Sequence, residues 1–226
     1  AQLTITIADA TPTSTIPTAG GATTTVYESG LNGGTEASTN KETTSGTISF
    51  TSPDGLAVSD AIKLGGHTLT TTNQSFSDGL TARYEYNAAT GTGTIYYSYT
   101  LPAKTSGDNT TATFAVEIKD ADGDSATAGN LVINIVDDVP TAMNDSNSIP
   151  VGSLAVVTGN VVSNDTKGAD GARVTTVKSD TAGGADVTIN PVGNYQVSGQ
   201  YGTLTIHSDG SYSYARNAGS AGGVSD

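Results

Sequence analysis

An internal repeat constrains this chain more than any other feature. Leu3-Thr-Ile-Thr-Ile-Ala-Asp9-Ala-Thr-Pro12-Thr13 aligns with Leu131-Val-Ile-Asn-Ile-Val-Asp137-Asp-Val-Pro140-Thr141, 128 residues later. Each copy alternates apolar and polar residues, reaches an acid, and then meets a proline, which cannot donate to a strand ladder and so ends the strand. Two such endings delimit one module of ordinary domain size. The expected organisation is the last strand of a preceding module at residues 1–8, a complete module at 9–138, and a further module at 139–226 whose closing strands are missing. The chain therefore reads as an internal fragment of a longer protein.

The modules read as all-β. Ile95, Tyr97 and Tyr99 alternate with Tyr96, Ser98 and Thr100, and Phe114, Val116 and Ile118 with Ala115, Glu117 and Lys119. This period of two gives one apolar face and one wet face. Similar runs occupy Thr47–Thr51, Leu131–Val136, Thr203–His207 and Ser211–Tyr214. Turn signals lie at Pro53-Asp54-Gly55, Ser77-Asp78-Gly79 and Ser208-Asp209-Gly210. No segment keeps apolar residues at helical spacing, and the many Gly and β-branched residues would penalise a helix. Short strands separated by turns predict tandem immunoglobulin-like β-sandwiches with almost no helix.

Charge narrows the function classes. With 22 acidic and 9 basic residues the net charge is −13, which repels nucleic-acid phosphates and anionic lipid and attracts cations. There is no cysteine among the 226 residues, so neither a disulfide framework nor a thiolate zinc site can staple a small core, and bound metal is the expected substitute. No apolar run approaches the length of a membrane span. The motif Gly-x-Ser-x-Gly, a phosphate-cradling Gly-Lys-Ser/Thr loop and His-Glu-x-x-His are all absent from the sequence, and the chain is read as a non-enzyme.

The densest constellation is Asp120-Ala-Asp122-Gly-Asp124, between the strand ending at Lys119 and one beginning near Asn130. Three carboxylates in five residues repel one another unless a hard cation neutralises them, and Ca2+ takes six to eight oxygen ligands. It is not an EF-hand loop: position six is Ser125 rather than Gly, and position twelve is Leu131 rather than Glu. If the last strand runs from this tip down to Asp137, the tip lies beside the incoming linker, so Asp9, Asp120, Asp122 and Asp124 are expected to share one ion. By the same logic Asp137 and Asp138 are expected to meet the equivalent tip of the following module, a segment this fragment lacks, so the lower site is expected to be incomplete; Glu28 is a further candidate there. Asn164, Asp165 and Asp170 read as a plain turn, diluted by Lys167 and Arg173, while His67 and His207 read as surface residues. Tyr27, Tyr84, Tyr86, Tyr96, Tyr97 and Tyr99 raise the alternative of a calcium-dependent carbohydrate-binding module, although alternation assigns Tyr97 and Tyr99 to the core.

Several segments carry a resemblance. Tyr27-Glu28-Ser29-Gly30-Leu31, Ser45-Gly46-Thr47-Ile48-Ser49-Phe50, Pro53-Asp54-Gly55-Leu56, Asn87-Ala-Ala-Thr-Gly91, Asp120-Ala-Asp-Gly-Asp124 and Ile135-Val-Asp-Asp-Val-Pro140 together resemble the repeat module of type I secreted RTX adhesins. Val157-Thr-Gly-Asn160, Ser163-Asn-Asp-Thr166 and Gly199-Gln-Tyr-Gly-Thr-Leu-Thr-Ile206-His-Ser-Asp-Gly-Ser-Tyr212 resemble a VCBS-type, cadherin-like module of the same proteins. This second segment departs from the pattern at Lys167, where an acid is usual. The Gly-Gly-x-Gly-x-Asp nonapeptides that give these adhesins their name are absent.

The resemblance implies calcium at the linkers, export by a type I machine to the cell surface, and a stalk that projects a ligand-binding region for adhesion and biofilm formation. The implied partners are neighbouring modules of the same chain and, through other domains, host or surface glycans or proteins. A variant of this reading makes 139–226 a split sandwich that scaffolds an inserted ligand-binding domain near Gly219–Asp226.

Overall fold

The computed structural model describes residues 1–6, 8–180, 182–220 and 222–226, and for 127 and 128 the backbone alone. The protein is all-β; one 3-10 turn at Glu28–Gly30 is the sole helical element among the described residues. The chain divides into two compact units, Ala1–Asp138 and Val139–Asp226. No helix among the described residues is long and apolar enough to cross a membrane.

The first unit contains β1 (Thr13–Thr15), β2 (Thr25–Tyr27), β3 (Thr43–Thr51), β4 (Ile62–Leu64), β5 (His67–Thr68), β6 (Gln74–Ser75), β7 (Leu80–Asn87), β8 (Thr92–Thr100), β9 (Thr110–Lys119) and β10 (Ser125–Val136). They build two five-stranded sheets, ordered β1-β3-β8-β7-β6 and β2-β10-β9-β4-β5. Alternation does the sorting. Ile48, Leu80, Ile95, Tyr97 and Tyr99 leave the first sheet inward, and Ile62, Phe114, Val116, Ile118, Leu131 and Ile133 leave the second inward, forming one buried core. Tyr99 meets Phe114 edge-on across the two layers, with ring centroids 5.5 Å apart, a favoured geometry for aromatic quadrupoles. The result is a β-sandwich.

Three pairings decide where the chemistry sits. β9 and β10 form an antiparallel hairpin in which Lys119 faces Ser125, so residues 120–124 are its tip. β2 pairs with β10 in parallel, with Tyr27 opposite Val136. The next residue of each strand is an acid, Glu28 and Asp137. β1 pairs antiparallel with β3, Thr13 opposite Thr51, which carries the chain ahead of Thr13 to the same end as the hairpin tip.

The structure differs from the expectation in three places. β10 starts at Ser125 rather than near Asn130, because the ladder is interrupted by a bulge between Thr127 and Asn130; Gly129, at φ +95°, supplies the left-handed backbone it needs. Residues 1–6 form no strand, and Leu3 and Ile5 are exposed. A strand needs a neighbour to take its ladder bonds, and neither sheet pairs with this segment; Ile7, the last apolar residue of that run, lies outside the described residues. His67 is only partly exposed: its ring stacks on Phe76 at 3.9 Å and Nε2 lies 2.8 Å from Asp78, tying the β5 edge of one sheet to the β6–β7 turn of the other.

The second unit contains β11 (Val157–Asn160), β12 (Thr176–Val177), β13 (Val187–Thr188), β14 (Tyr195–Ser198), β15 (Gly202–Ile206) and β16 (Ser211–Arg216). β11-β16-β15-β14 form one antiparallel sheet, and β12-β13 a two-stranded ribbon. Among the described residues its buried apolar side chains are Val162, Ile189, Val197 and Ile206, against twenty in the first unit, so among them nothing forms a second layer of comparable depth over the four-stranded sheet.

Ile118 is fully buried at the centre of the second sheet. Ile118→Ala should lower stability by about 2–5 kcal/mol, whereas Val58→Ala, at a fully exposed position, should change it by less than about 0.5 kcal/mol; urea unfolding of both variants checks the contrast.

Candidate metal centres

The tip of the β9–β10 hairpin is built around Asp120. Its amide donates to the carbonyl of Asp124 at 3.0 Å, and its Oδ1 accepts from the Gly123 amide at 3.0 Å. Its other oxygen, Oδ2, is buried, and the Asp120 carboxyl lies in contact with that of Asp122. The Pro53–Gly55 turn docks on the same tip through a bridge between Leu56 and Asp120 and an Ala57 amide bond to the Lys119 carbonyl, 3.0 Å. Asp54 of that turn then reaches the incoming chain, where the Ala10 amide donates to its Oδ2 at 2.8 Å. Asp9 is thereby pinned at the tip, and Asp9, Asp122 and Asp124 offer carboxylate oxygens within 4.8 Å of one another.

The electrostatics of this cluster follow from crowding. Asp9 is pushed up to about 6, chiefly by its carboxyl contact and repulsion with Asp122 and further by Asp124. Asp120 is raised by its own burial and then by Asp122. Asp122 is lowered, because Asp120 and Asp9 donate hydrogen bonds to it. Carboxyls in contact cannot all ionise without a counter-charge, so protons are shared among them. The residues fit a hard cation: every donor is oxygen, and the carboxyls of Asp9, Asp120, Asp122 and Asp124 crowd one tip.

The opposite end of β10, roughly 35–40 Å away along the strand, carries the second group. The parallel register of β2 and β10 brings Glu28 and Asp137 together, with carboxylate oxygens within 4.8 Å. Glu28 is fully buried. Its Oε1 accepts from the Thr105 amide and hydroxyl, both at 2.6 Å, while Oε2 has no hydrogen-bond partner. Asp138 stands apart from this pair. Its two oxygens accept from the Thr35 amide at 2.8 Å and the Thr35 hydroxyl at 2.7 Å. Consecutive side chains of an extended chain point to opposite sides, so Asp137 and Asp138 take different partners.

Of the residues singled out in the sequence, the structure thus gathers Asp9, Asp120, Asp122 and Asp124 at one end and Glu28 with Asp137 at the other. Asp54 was missed; its place in a Pro-Asp-Gly turn gave it a local explanation, and only the β1–β3 register shows it holding the linker. The six tyrosines differ in exposure, and Tyr27 is exposed. Tyr97 and Tyr99 are buried, and the face of Tyr96 is covered by the Arg83 guanidinium at 4.0 Å. No protein-family model matches the chain, and no curated protein is significantly similar to it.

The raised Asp9 sets a pH dependence. Its folded value of about 6 exceeds the ordinary 3.8, so the ion-free folded state binds more protons than the unfolded chain, and this group lowers stability as pH rises from about 4 to about 6. Asp9→Asn removes that loss. In metal-free solution the variant should be more stable than wild type near pH 7, and the gap should close near pH 4; denaturant midpoints across this range check it.

Proposed function

We propose that this chain is a calcium-stiffened extender segment of a bacterial surface adhesin, a stalk that holds a ligand-binding region away from the cell rather than an enzyme. The observation that carries this reading is the meeting of Asp9, from the segment ahead of the sandwich, with Asp122 and Asp124 on the hairpin tip. A cation there ties an incoming segment to the body of the module and restricts their relative motion. The Glu28–Asp137 pair does the same where the chain leaves the module, so force passes along β10 between two clamps. The resemblance to RTX adhesin repeats agrees with this arrangement.

Calcium also gives the stalk an environmental switch. Where free calcium is scarce the crowded carboxylates oppose folding, and an unfolded chain suits export through a narrow secretion channel. Extracellular calcium, at the roughly 0.1–1 mM affinity usual for extracellular modules, then folds and stiffens the rod. Binding to the folded state alone adds about 2.7 kcal/mol per site at a hundredfold excess over Kd.

Thermal unfolding with calcium titrated against a chelator, with small-angle scattering on the same samples, tests the reading. Calcium should raise Tm by about 10 °C and give a stiffer particle, and the Asp122→Asn, Asp124→Asn double variant should lose most of the rise. An unchanged Tm and scattering profile would remove the clamp and with it the stalk mechanism.

A further inference from the structure

The turn joining β14 to β15 in the second unit is a ready-made anion cradle. The Gly199 amide bonds to the Gly202 carbonyl at 2.8 Å and closes the turn, which leaves the amides of Gln200 and Tyr201 without ladder partners. Both point at one carboxylate. Gln200 N–H donates to Asp226 Oδ1 at 2.5 Å and Tyr201 N–H to Oδ2 at 2.9 Å, while the Tyr214 hydroxyl donates to Oδ2 at 2.7 Å. Two glycines make the room. A Cβ on Gly202 would strike the Tyr214 ring, and a Cβ on Gly199 would strike the Asp226 carboxylate itself.

We propose that Gly199–Gly202 together with Tyr214 forms a carboxylate-binding site, whose ligand is an Asp or Glu side chain on an extended segment and whose occupant here is Asp226. Three donors converging on one carboxylate make a charge-assisted set, stronger than neutral hydrogen bonds. The contact uses side-chain oxygens, so it does not depend on a chain end.

Filling the cradle turns residues 222–226 into a strap. The chain leaves β16 at Arg216 and reverses, with the Ser220 amide on the Asn217 carbonyl at 3.2 Å and the Arg216 Nε on the Ser220 hydroxyl at 2.9 Å. It returns along a cavity of about 790 Å³ lined by Val157, Val197, Leu204 and Tyr212 of the sheet and by Val224 of the strap. This is the sheet that has no deep second layer, and the strap partly covers it. The Tyr214 phenol is pushed up to about 12, first by burial and then by the Asp226 carboxylate, in keeping with an ionised ligand beside it. The site lies wholly in the second unit and is independent of cation binding in the first.

The test is NMR on the 226-residue chain in calcium-containing buffer, comparing wild type with Asp226→Ala and Gly199→Ala. Gly199 lies outside the left-handed region, so alanine there fills the cradle without backbone strain. In both variants hydrogen exchange at the Gln200 and Tyr201 amides should rise on the order of tenfold or more, the gain expected on losing a charged hydrogen bond. The Tyr214 phenol should titrate lower, toward the ordinary 10. Excess acetate should shift the Gln200, Tyr201 and Tyr214 resonances of Asp226→Ala back toward wild type and leave Gly199→Ala unmoved. Unchanged exchange and titration in both variants would overturn the proposal, as would acetate shifts scattered over the surface.

Discussion

Repulsion among carboxylates that the sheets hold together is the constraint on which the rest of the first unit turns. The β9–β10 hairpin forces Asp120, Asp122 and Asp124 into one tip, and the β1–β3 register delivers Asp9 to it. Strand pairing and the Asp54 bond that anchors the linker hold the backbones of these residues at one tip. The fold therefore stores an electrostatic penalty that a proton or a cation can relieve. Protons do so only below about pH 6, the value to which Asp9 is raised. A hard divalent cation would suit an all-oxygen site of this kind.

The hydrophobic sandwich makes this penalty tolerable and also localises it. A continuous core runs between the two sheets, while both acid groups lie at the ends of β10, outside that core. The strand is thus a rigid spacer between two sites that share no ligands. In the proposed stalk, cations at the two ends of β10 would stiffen the points where the chain enters and leaves the module. The second unit is built differently: a four-stranded sheet and a two-stranded ribbon with few buried apolar residues among those described, closed in part by a strap whose anchor is one carboxylate.

Much of this was legible in the residue order, and the reasons for the rest are physical. Long alternating runs such as Thr92–Thr100 and Thr110–Lys119 declare their buried faces by period alone, and Tyr97 and Tyr99 are core residues as that period requires. The repeat singled out Asp9 and Asp137, which lie beside opposite ends of β10. Edge strands of two or three residues, such as Thr13–Thr15 and Gln74–Ser75, carry no period and are set by their neighbours. The same holds for the site. Adjacent acids at 137 and 138 look equivalent in a sequence, yet one faces Glu28 and the other bonds Thr35. Asp54 looked like a turn residue because it is one; its second role depends on a strand pairing between distant segments.

The proposed stalk needs one cation among Asp9, Asp122 and Asp124. Diffraction from crystals grown with calcium, recorded where calcium scatters anomalously, tests it most directly. The account predicts an anomalous peak between these three side chains with oxygen ligands at about 2.3–2.6 Å, and the loss of that peak in crystals of Asp122→Asn. Well-ordered carboxylates at this tip with no anomalous peak, in crystals grown at millimolar calcium, would contradict it.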